Sequence, residues 1–432
     1  YWESHRKVFL VIASIFMFLV GLGNPFTSLV SACLCAYEAA FTIYEKRTAK
    51  TLNWIPLACA VVGLIVVVAA PGNKSRMPIG HLSVFETIKG CFVDGTKFIN
   101  AMNKLSEKNT TRLASLDILR GFDLFLLVFF QPVFAALVRQ LNLPFLNEVL
   151  YQFDHEVWEG FRFWDLVMPL FLFMTGASMP FSLSKYVGMS GSYRPVYRRI
   201  LRRVFLLFIF GMIVQGNLLG LDSRHIYLYS NTLQSIAVGY FIAAVIQLHF
   251  SFRWQIGITL LLLFIYWIPM TFLGDFTPAG NFAEQVDRWV LGRFRDGVFW
   301  NEDGTWSFSP YYNYTWIWSS LTFGVTVMLG AFAGKIMKEG KANRKKVVQT
   351  LSVIGVLLVG LAMLWSLQMP IIKRLWTGSM TLLSGGYCFL LMALFYYWID
   401  YKGHSRGLNW LKVYGMNSIT AYLLGEVVNF RC

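Results

Sequence analysis

The 432-residue sequence is poor in charge and poorest in acid: charged residues make up 14% of it, and 38 lysines and arginines outnumber 23 aspartates and glutamates, a formal net charge of +15. With hydrophobic residues at 56% and a mean hydropathy of +0.52, this is not the balance of a water-soluble protein. The chain also lacks any polar stretch long enough to fold as a soluble catalytic domain. A helix needs about 20 apolar residues to cross a bilayer, and roughly twelve such stretches use more than half the chain. Any chemistry therefore lies in the membrane or at its rims.

Cysteine is scarce too, and its six occurrences form no framework. Cys33 and Cys35 are a C-x-C inside an apolar run, Cys59 and Cys388 sit in apolar stretches, and Cys91 and Cys432 stand alone. Packing is their reading, and no metal or redox site follows from them. No cleavable signal pattern is present, and a chain that begins at Tyr1 reads as a fragment. The excess of positive charge does not indicate nucleic acid, which basic proteins hold by neutralising phosphates. Arg194, Arg198, Arg199, Arg202 and Arg203 crowd one short loop, and Lys335, Lys338, Lys341, Arg344, Lys345 and Lys346 another, each wedged between apolar runs. That is the pattern of loops retained in the cytoplasm.

Three apolar stretches, near 7–23, 27–44 and 53–70, precede a polar stretch from Pro71 to Lys108. Nine more follow near 115–138, 163–185, 200–220, 231–250, 254–273, 314–337, 347–367, 375–399 and 410–430. Lipid tolerates no open sheet edge, so all are read as helices. The expected fold is an all-α polytopic transmembrane bundle of about 11–12 spans, with residues 1–110 as one part and 111–432 as another. Alternating the nine later spans from a cytoplasmic start puts both basic loops inside and leaves Glu148, Asp154, Glu156 and Glu159 outside. Lys373 and Arg374 break the rule by falling outside. The first three spans fit less well, because Lys46, Arg47 and Lys50 come out on the outer side; either 82–103 crosses as well or the front part has its own orientation.

Two segments concentrate the chemistry. The stretch from Arg112 places Asp117 and Arg120 on one helical face at the start of a span, readable as a plain ion pair, with Asp123 further in. An ionisable group inside a span is expensive and faces a cavity or a partner. Gln131 and Pro132 follow, the proline kinking or ending the helix. After an outer loop comes Y-Q-F-D-H-E-V-W-E-G-F-R-F-W-D-L-V-M-P, in which His155 is flanked by Asp154, Glu156 and Glu159, with Trp158 a turn away. A histidine near a membrane surface is most often simply solvated, but a neighbouring carboxylate fixes an imidazole's tautomer and raises its basicity, as a general base requires. Asp165 follows, either as a helix cap or as that carboxylate. Pro169 and Gly176 in the same span admit a kink and a close backbone approach.

These strings resemble the heparan-α-glucosaminide N-acetyltransferase family of membrane acetyltransferases, particularly its bacterial members. L-Q-S-I-A-V-G-Y-F-I-A (Leu233–Ala243), K-R-L-W-T-G-S-M-T-L-L-S-G-G-Y (Lys373–Tyr387) and K-V-Y-G-M-N-S-I-T-A-Y (Lys412–Tyr422) look like further family blocks in family order, so the resemblance covers about residues 112–432. It implies a membrane acyltransferase domain that passes an acetyl group from cytoplasmic acetyl-CoA to the amine of a glucosamine-type sugar or glycan on the other side. In that family the histidine of H-x-x-W-x-G-x-x-x-x-D-L-V-x-P is catalytic, which here is His155, expected to be buried near the outer face. Asp165 would orient it, and Gln131, standing where the family often has asparagine, would offer an amide to the oxyanion. Arg120, Arg198, Arg199, Arg202 and Arg203 are candidates for the coenzyme A phosphates. Trp158, Asp123, Lys373, Arg374, Trp376 and Asn417 are candidates for the acceptor.

Three departures loosen the inference to one acceptor: Gln131 replaces an asparagine, Ser235 replaces a common arginine, and Tyr312–Trp318 stands where the family usually has an acidic D-P-E-G string. The chain is thus expected to be an integral membrane protein, of a bacterial inner membrane, with acetyl-CoA, an amino sugar and the lipid bilayer as partners, no nucleic acid, no metal, and a homodimer admitted. A sugar or glycan transporter without chemistry and an O-acyltransferase acting on surface polysaccharide remain the alternatives.

Overall fold

A computed structural model describes residues 113–141, 144–187, 192–220, 223–309 and 314–427. The first three apolar stretches and the boundary expected near 108–111 lie outside the described residues. From Leu113 onward each of the nine expected stretches is helical. The first runs from α1 (Ala114–Phe125) through a π-helical turn (Leu126–Phe130) into α2 (Gln131–Leu141). Pro132 cannot supply the N–H that would continue the α-helical pattern, and the wider turn just before it absorbs the mismatch. A short helix α3 (Pro144–Tyr151) then leads to a 3₁₀ turn (Phe163–Leu166) and α4 (Val167–Leu183). The remaining long helices are α5 (Arg194–Val214), α6 (Thr232–His249), α7 (Phe252–Phe272), α9 (Ser320–Glu339), α10 (Arg344–Ser366) and α11 (Gly378–Phe395, extended by a π-helical turn to Tyr401). The last stretch is broken at Asn417 into α12 (Asn409–Met416) and α13 (Ser418–Val427).

Among the described residues seven of these segments are long and apolar enough to cross a membrane. The loop after α7 holds a helix α8 (Phe282–Leu291) and a two-stranded antiparallel hairpin, β1 (Val298–Trp300) and β2 (Trp306–Phe308), a small exception to the all-helical expectation. A second difference concerns α5. The arginines read as a loop occupy its first three turns, because Pro195 at the start of the helix fixes φ where a missing N–H costs nothing, and arginine is itself a good helix former.

The helices sort into an inner and an outer set. The spans containing α4, α6 and α9 are 67–72% buried, against 22% for α7 and α10, whose Leu260, Leu261, Val356 and Leu357 stay exposed as a lipid-facing surface would. The inner crossing of α4 and α9 is built from small residues. A methyl group on Gly176 would sit 1.8 Å from the Val327 carbonyl oxygen, and one on Gly330 1.9 Å from that of Phe173. Gly330 and Gly334 form a G-x-x-x-G face that lets the two backbones touch.

Polar contacts fix which helix ends lie together. Lys338 donates to the Pro180 carbonyl at 2.8 Å, Arg199 to the Tyr186 hydroxyl at 3.1 Å, and the Tyr197 hydroxyl meets His249 Nε2 at 2.7 Å. The Ser115 N–H donates to Asp400 at 3.2 Å, and Arg344 contacts the Asp400 carbonyl. One end of the bundle therefore collects the lysines and arginines of successive helices. The other end collects the 152–162 loop, the α7–α9 connection and the 367–377 loop, which hold one another through Gly160 N–H to the Ile371 carbonyl (2.8 Å), Trp158 Nε1–H to the Phe276 carbonyl (2.7 Å) and Thr315 N–H to the Arg374 carbonyl (3.0 Å).

Candidate active site

At this second end the 152–162 loop folds over the start of α4. Its φ of +132° at Gly160 is a conformation side chains disfavour, and a Cβ there would lie 3.0 Å from Glu156 Cγ. Arg162 clamps the loop from within, pairing with Glu156 at 2.8 and 3.0 Å and resting 3.6 Å from the centre of the Tyr151 ring. Asp165, three residues past Arg162, is fully buried. One of its oxygens, Oδ2, caps the turn by accepting the N–H of Arg162 at 3.0 Å and of Glu156 at 3.2 Å.

The other oxygen faces the chemistry. Asp165 Oδ1 accepts from His155 Nδ1 at 2.9 Å and lies 3.3 Å from Lys373 Nζ. Lys373, from the loop before α11, is 6% exposed, and its ammonium also stands 2.8 Å from Nδ1 and 3.5 Å from Nε2 of the same imidazole. The imidazole itself is 42% exposed. It is not buried as expected: the loop leaves the ring part-exposed beside Asp165 and Lys373, which are themselves buried. Among the described residues His155 Nε2 has no other polar partner.

Partial loss of water around the half-covered ring is the main influence holding the His155 imidazole below its ordinary pKa; the hydrogen bond to Asp165 works the other way, and the positive charges of Lys373 and then Arg374 push it down again. Lys373 falls to about 8, chiefly because it is buried, with Asp165 opposing the fall. The lysine thus keeps its charge over the range in which an imidazole titrates.

Of the other expected site residues, Arg374 lies beside this group, its guanidinium 5.7 Å from the Tyr314 ring. Tyr314 is a neighbour that sequence reading did not single out, although it falls in the string that replaces the family's acidic one. Trp158 borders the site, but its ring N–H is committed to the Phe276 carbonyl and its indole packs against the buried cluster that contains Tyr266, Met270 and Ile372. Trp376 is a correction: it is 2% exposed, edge-on to Phe323, and donates to Thr326 Oγ1 at 3.1 Å. It belongs to the core and presents no face to a substrate. Asn417 is turned back to the Val413 carbonyl at 3.0 Å, at the break between α12 and α13. Gln131 is half-buried at the head of α2 and makes no hydrogen bond to His155, Asp165 or Lys373.

Asp123 is 1% exposed within α1, with one carboxylate oxygen lacking a hydrogen-bond partner among the described residues. Arg120 pairs with Asp117 at 3.4 Å and reaches the Met174 carbonyl at 3.4 Å, so its guanidinium is drawn into the bundle. The four coenzyme A candidates in α5 lie at the basic end, away from His155. Arg198 and Arg202 are exposed, Arg199 bonds Tyr186, and Arg203 stacks 4.4 Å from the Tyr240 ring. Guanidinium groups beside aromatic faces suit an anionic, ring-bearing ligand.

Comparison with known proteins agrees with the resemblance carried by the motifs. Residues 112–287 match the family model for heparan-alpha-glucosaminide N-acetyltransferase, catalytic. Two relatives, both named heparan-alpha-glucosaminide N-acetyltransferase, come from Homo sapiens (26% identical over 366 residues, 73% of this chain and 53% of the relative) and Mus musculus (25% over 370 residues, 74% and 54%). The chain spans about half the length of these curated relatives. The matched stretch includes His155, Asp165 and the α5 arginines and ends before Lys373.

Proposed function

We propose, from the premise that this chain is related to the heparan-alpha-glucosaminide N-acetyltransferase family, that it is a membrane acetyltransferase. It carries an acetyl group from coenzyme A to the amine of a glucosamine-type sugar. The observation that supports this best is the 2.9 Å contact between His155 Nδ1 and the buried Asp165. A carboxylate there holds the proton on Nδ1 and leaves the Nε2 lone pair for the substrate. In the transfer the amine nitrogen bonds to the thioester carbonyl carbon, the carbon–sulfur bond breaks, and one amine proton passes by way of Nε2 to the departing thiolate. If Nε2 itself attacks the carbonyl first, the acetyl group rests on the imidazole before reaching the amine. Both routes need the same lone pair.

The basic end is the side from which acetyl-CoA arrives, since lysine- and arginine-rich ends are retained in the cytoplasm. Arg198 and Arg202, with Arg199 and Arg203 behind them, would hold its phosphates. His155, Lys373 and Arg374 then face the acceptor side, with Tyr314 and Trp158 as the aromatic border a sugar ring would meet. The test is transfer of labelled acetyl from acetyl-CoA to glucosamine by purified protein in liposomes, with His155→Ala alongside. Wild type transfers and the variant does not. No transfer to amino or hydroxyl sugars would favour a transporter, transfer to hydroxyls alone an O-acyltransferase, and an active His155→Ala would remove the histidine from the chemistry.

A further inference from the structure

The position of the lysine relative to the imidazole ring is specific. An ammonium hydrogen-bonded to the Nδ1 lone pair lies in the ring plane on the side away from Nε2, so its distance to Nε2 greatly exceeds its distance to Nδ1. Lys373 Nζ is 2.8 Å from Nδ1 and only 3.5 Å from Nε2. An in-plane position that near to both nitrogens would collide with a ring carbon, so the ammonium lies on the face of the imidazole. The in-plane direction from Nδ1 is taken by Asp165 Oδ1 at 2.9 Å, and Lys373 forms an ion pair with that same oxygen at 3.3 Å. One carboxylate thus faces two groups able to carry positive charge, and it compensates one of them.

We propose that Lys373 is a positioning residue: its ammonium on the ring face keeps the His155 imidazole uncharged, with Nδ1–H on Asp165 and Nε2 open to the reacting amine. This rests on the acetyltransferase reading of the site. An imidazolium 2.8 Å from an ammonium is repelled, so His155 is available as base or nucleophile in more acidic conditions than an unassisted histidine. The same repulsion drives a proton or acetyl group taken up by the ring onward to its acceptor. The other charges at the ring are accounted for. Arg374 adds to the repulsion from the same loop; Glu156 is turned to Arg162; and Tyr314, in front of α9, is kept uncharged, chiefly by its own burial.

The sign follows directly. Removing the cation raises the pKa of the imidazole, so the acid limb of the pH–rate profile moves to higher pH. The experiment compares wild type, Lys373→Met and Lys373→Arg by labelled acetyl transfer to glucosamine from pH 5 to 9. In Lys373→Met the acid-limb midpoint rises by about one pH unit or more, the scale on which a neighbouring charge moves an imidazole. Well below both midpoints that is about a tenfold loss relative to the plateau. Lys373→Arg retains the charge and keeps the wild-type midpoint even where its plateau rate drops. A Lys373→Met enzyme slower at every pH with an unmoved midpoint would overturn the proposal, as would a midpoint that rises equally in both variants. Activity surviving in His155→Ala would instead overturn the underlying reading of the histidine.

Discussion

Replacing Asp165 by asparagine puts the largest demand on the site, and its consequences can be worked from the three hydrogen bonds and one ion pair that the carboxylate makes. The amide keeps one oxygen, which the backbone N–H groups of Glu156 and Arg162, at 3.2 and 3.0 Å, will hold. Its NH₂ then faces His155 Nδ1 and the Lys373 ammonium. Nδ1 can be satisfied only as an acceptor, so the imidazole proton moves to Nε2 and the lone pair presented to substrate is lost. Reversal of a catalytic histidine's tautomer costs about 10⁴ in rate where it has been isolated in serine proteases, and a loss of that order is expected in kcat.

Stability responds less. An uncompensated buried charge costs about 3–5 kcal/mol, but Lys373 titrates near 8 even with Asp165 present, so at pH 7 it can shed its proton for about 1.4 kcal/mol. Without the carboxylate its pKa falls further and that cost shrinks. Asp165→Asn should therefore fold, with a melting point in detergent lowered by no more than about 2–3 kcal/mol would bring, once a lost hydrogen bond of about 1 kcal/mol is added. Acetyl transfer and thermal unfolding measured on one preparation separate the two effects. A variant within tenfold of the wild-type rate would refute the tautomer reasoning, and one that fails to fold would refute the assignment of Lys373 as the group that yields.

Two further predictions concern the rest of the bundle. Arg202→Glu, alone or with Arg198→Glu, should raise KM for acetyl-CoA at least tenfold with kcat little changed, an effect that shrinks as salt rises because these exposed charges are screened; steady-state kinetics with varied donor decides it, and an unchanged KM would exclude α5 from donor binding. Gly176→Val should leave no stably folded protein, because its Cβ would fall 1.8 Å from the Val327 carbonyl oxygen and no rotamer moves a Cβ. Size-exclusion profiles and melting curves in detergent would show the loss, and a monodisperse variant with the wild-type melting point would show that α4 and α9 do not touch there.

The helices were legible because hydropathy alone sets their length in lipid. Even so, Asn417 hid a break in the last stretch, and the arginines of α5 hid its true start at Arg194. The pair His155 and Asp165, ten residues apart, was readable as neighbours bracketing a helix start. The lysine between them was not: it arrives from 218 residues away, and what recommended it was only its anomalous place outside the positive-inside pattern. Trp376 misled for a related reason. Its place beside Lys373 and Arg374 put it among the acceptor candidates, yet its φ of +55° turns it into the core, where Thr326 takes its N–H. The clamp of Arg162 on Glu156 and Tyr151 is likewise a matter of how one loop closes, and no periodicity announces it.

The separation of the two ends limits how the parts can cooperate. From Asp165 to Tyr186 is 21 residues along one helix, which at about 1.5 Å per residue is roughly 30 Å, the thickness of a bilayer's hydrocarbon core. On the proposed function, arginines holding coenzyme A at one end could not touch a carbonyl reacting at the other, so substitutions at the two ends should act on different kinetic constants. A transporter would use a path along the same axis and would tolerate charged groups at its mouth. It would have no use for a buried carboxylate whose two oxygens are taken up by two backbone N–H groups, an imidazole and a lysine. Such an arrangement fixes one tautomer of one ring, and a fixed tautomer matters when a bond is made to its free nitrogen.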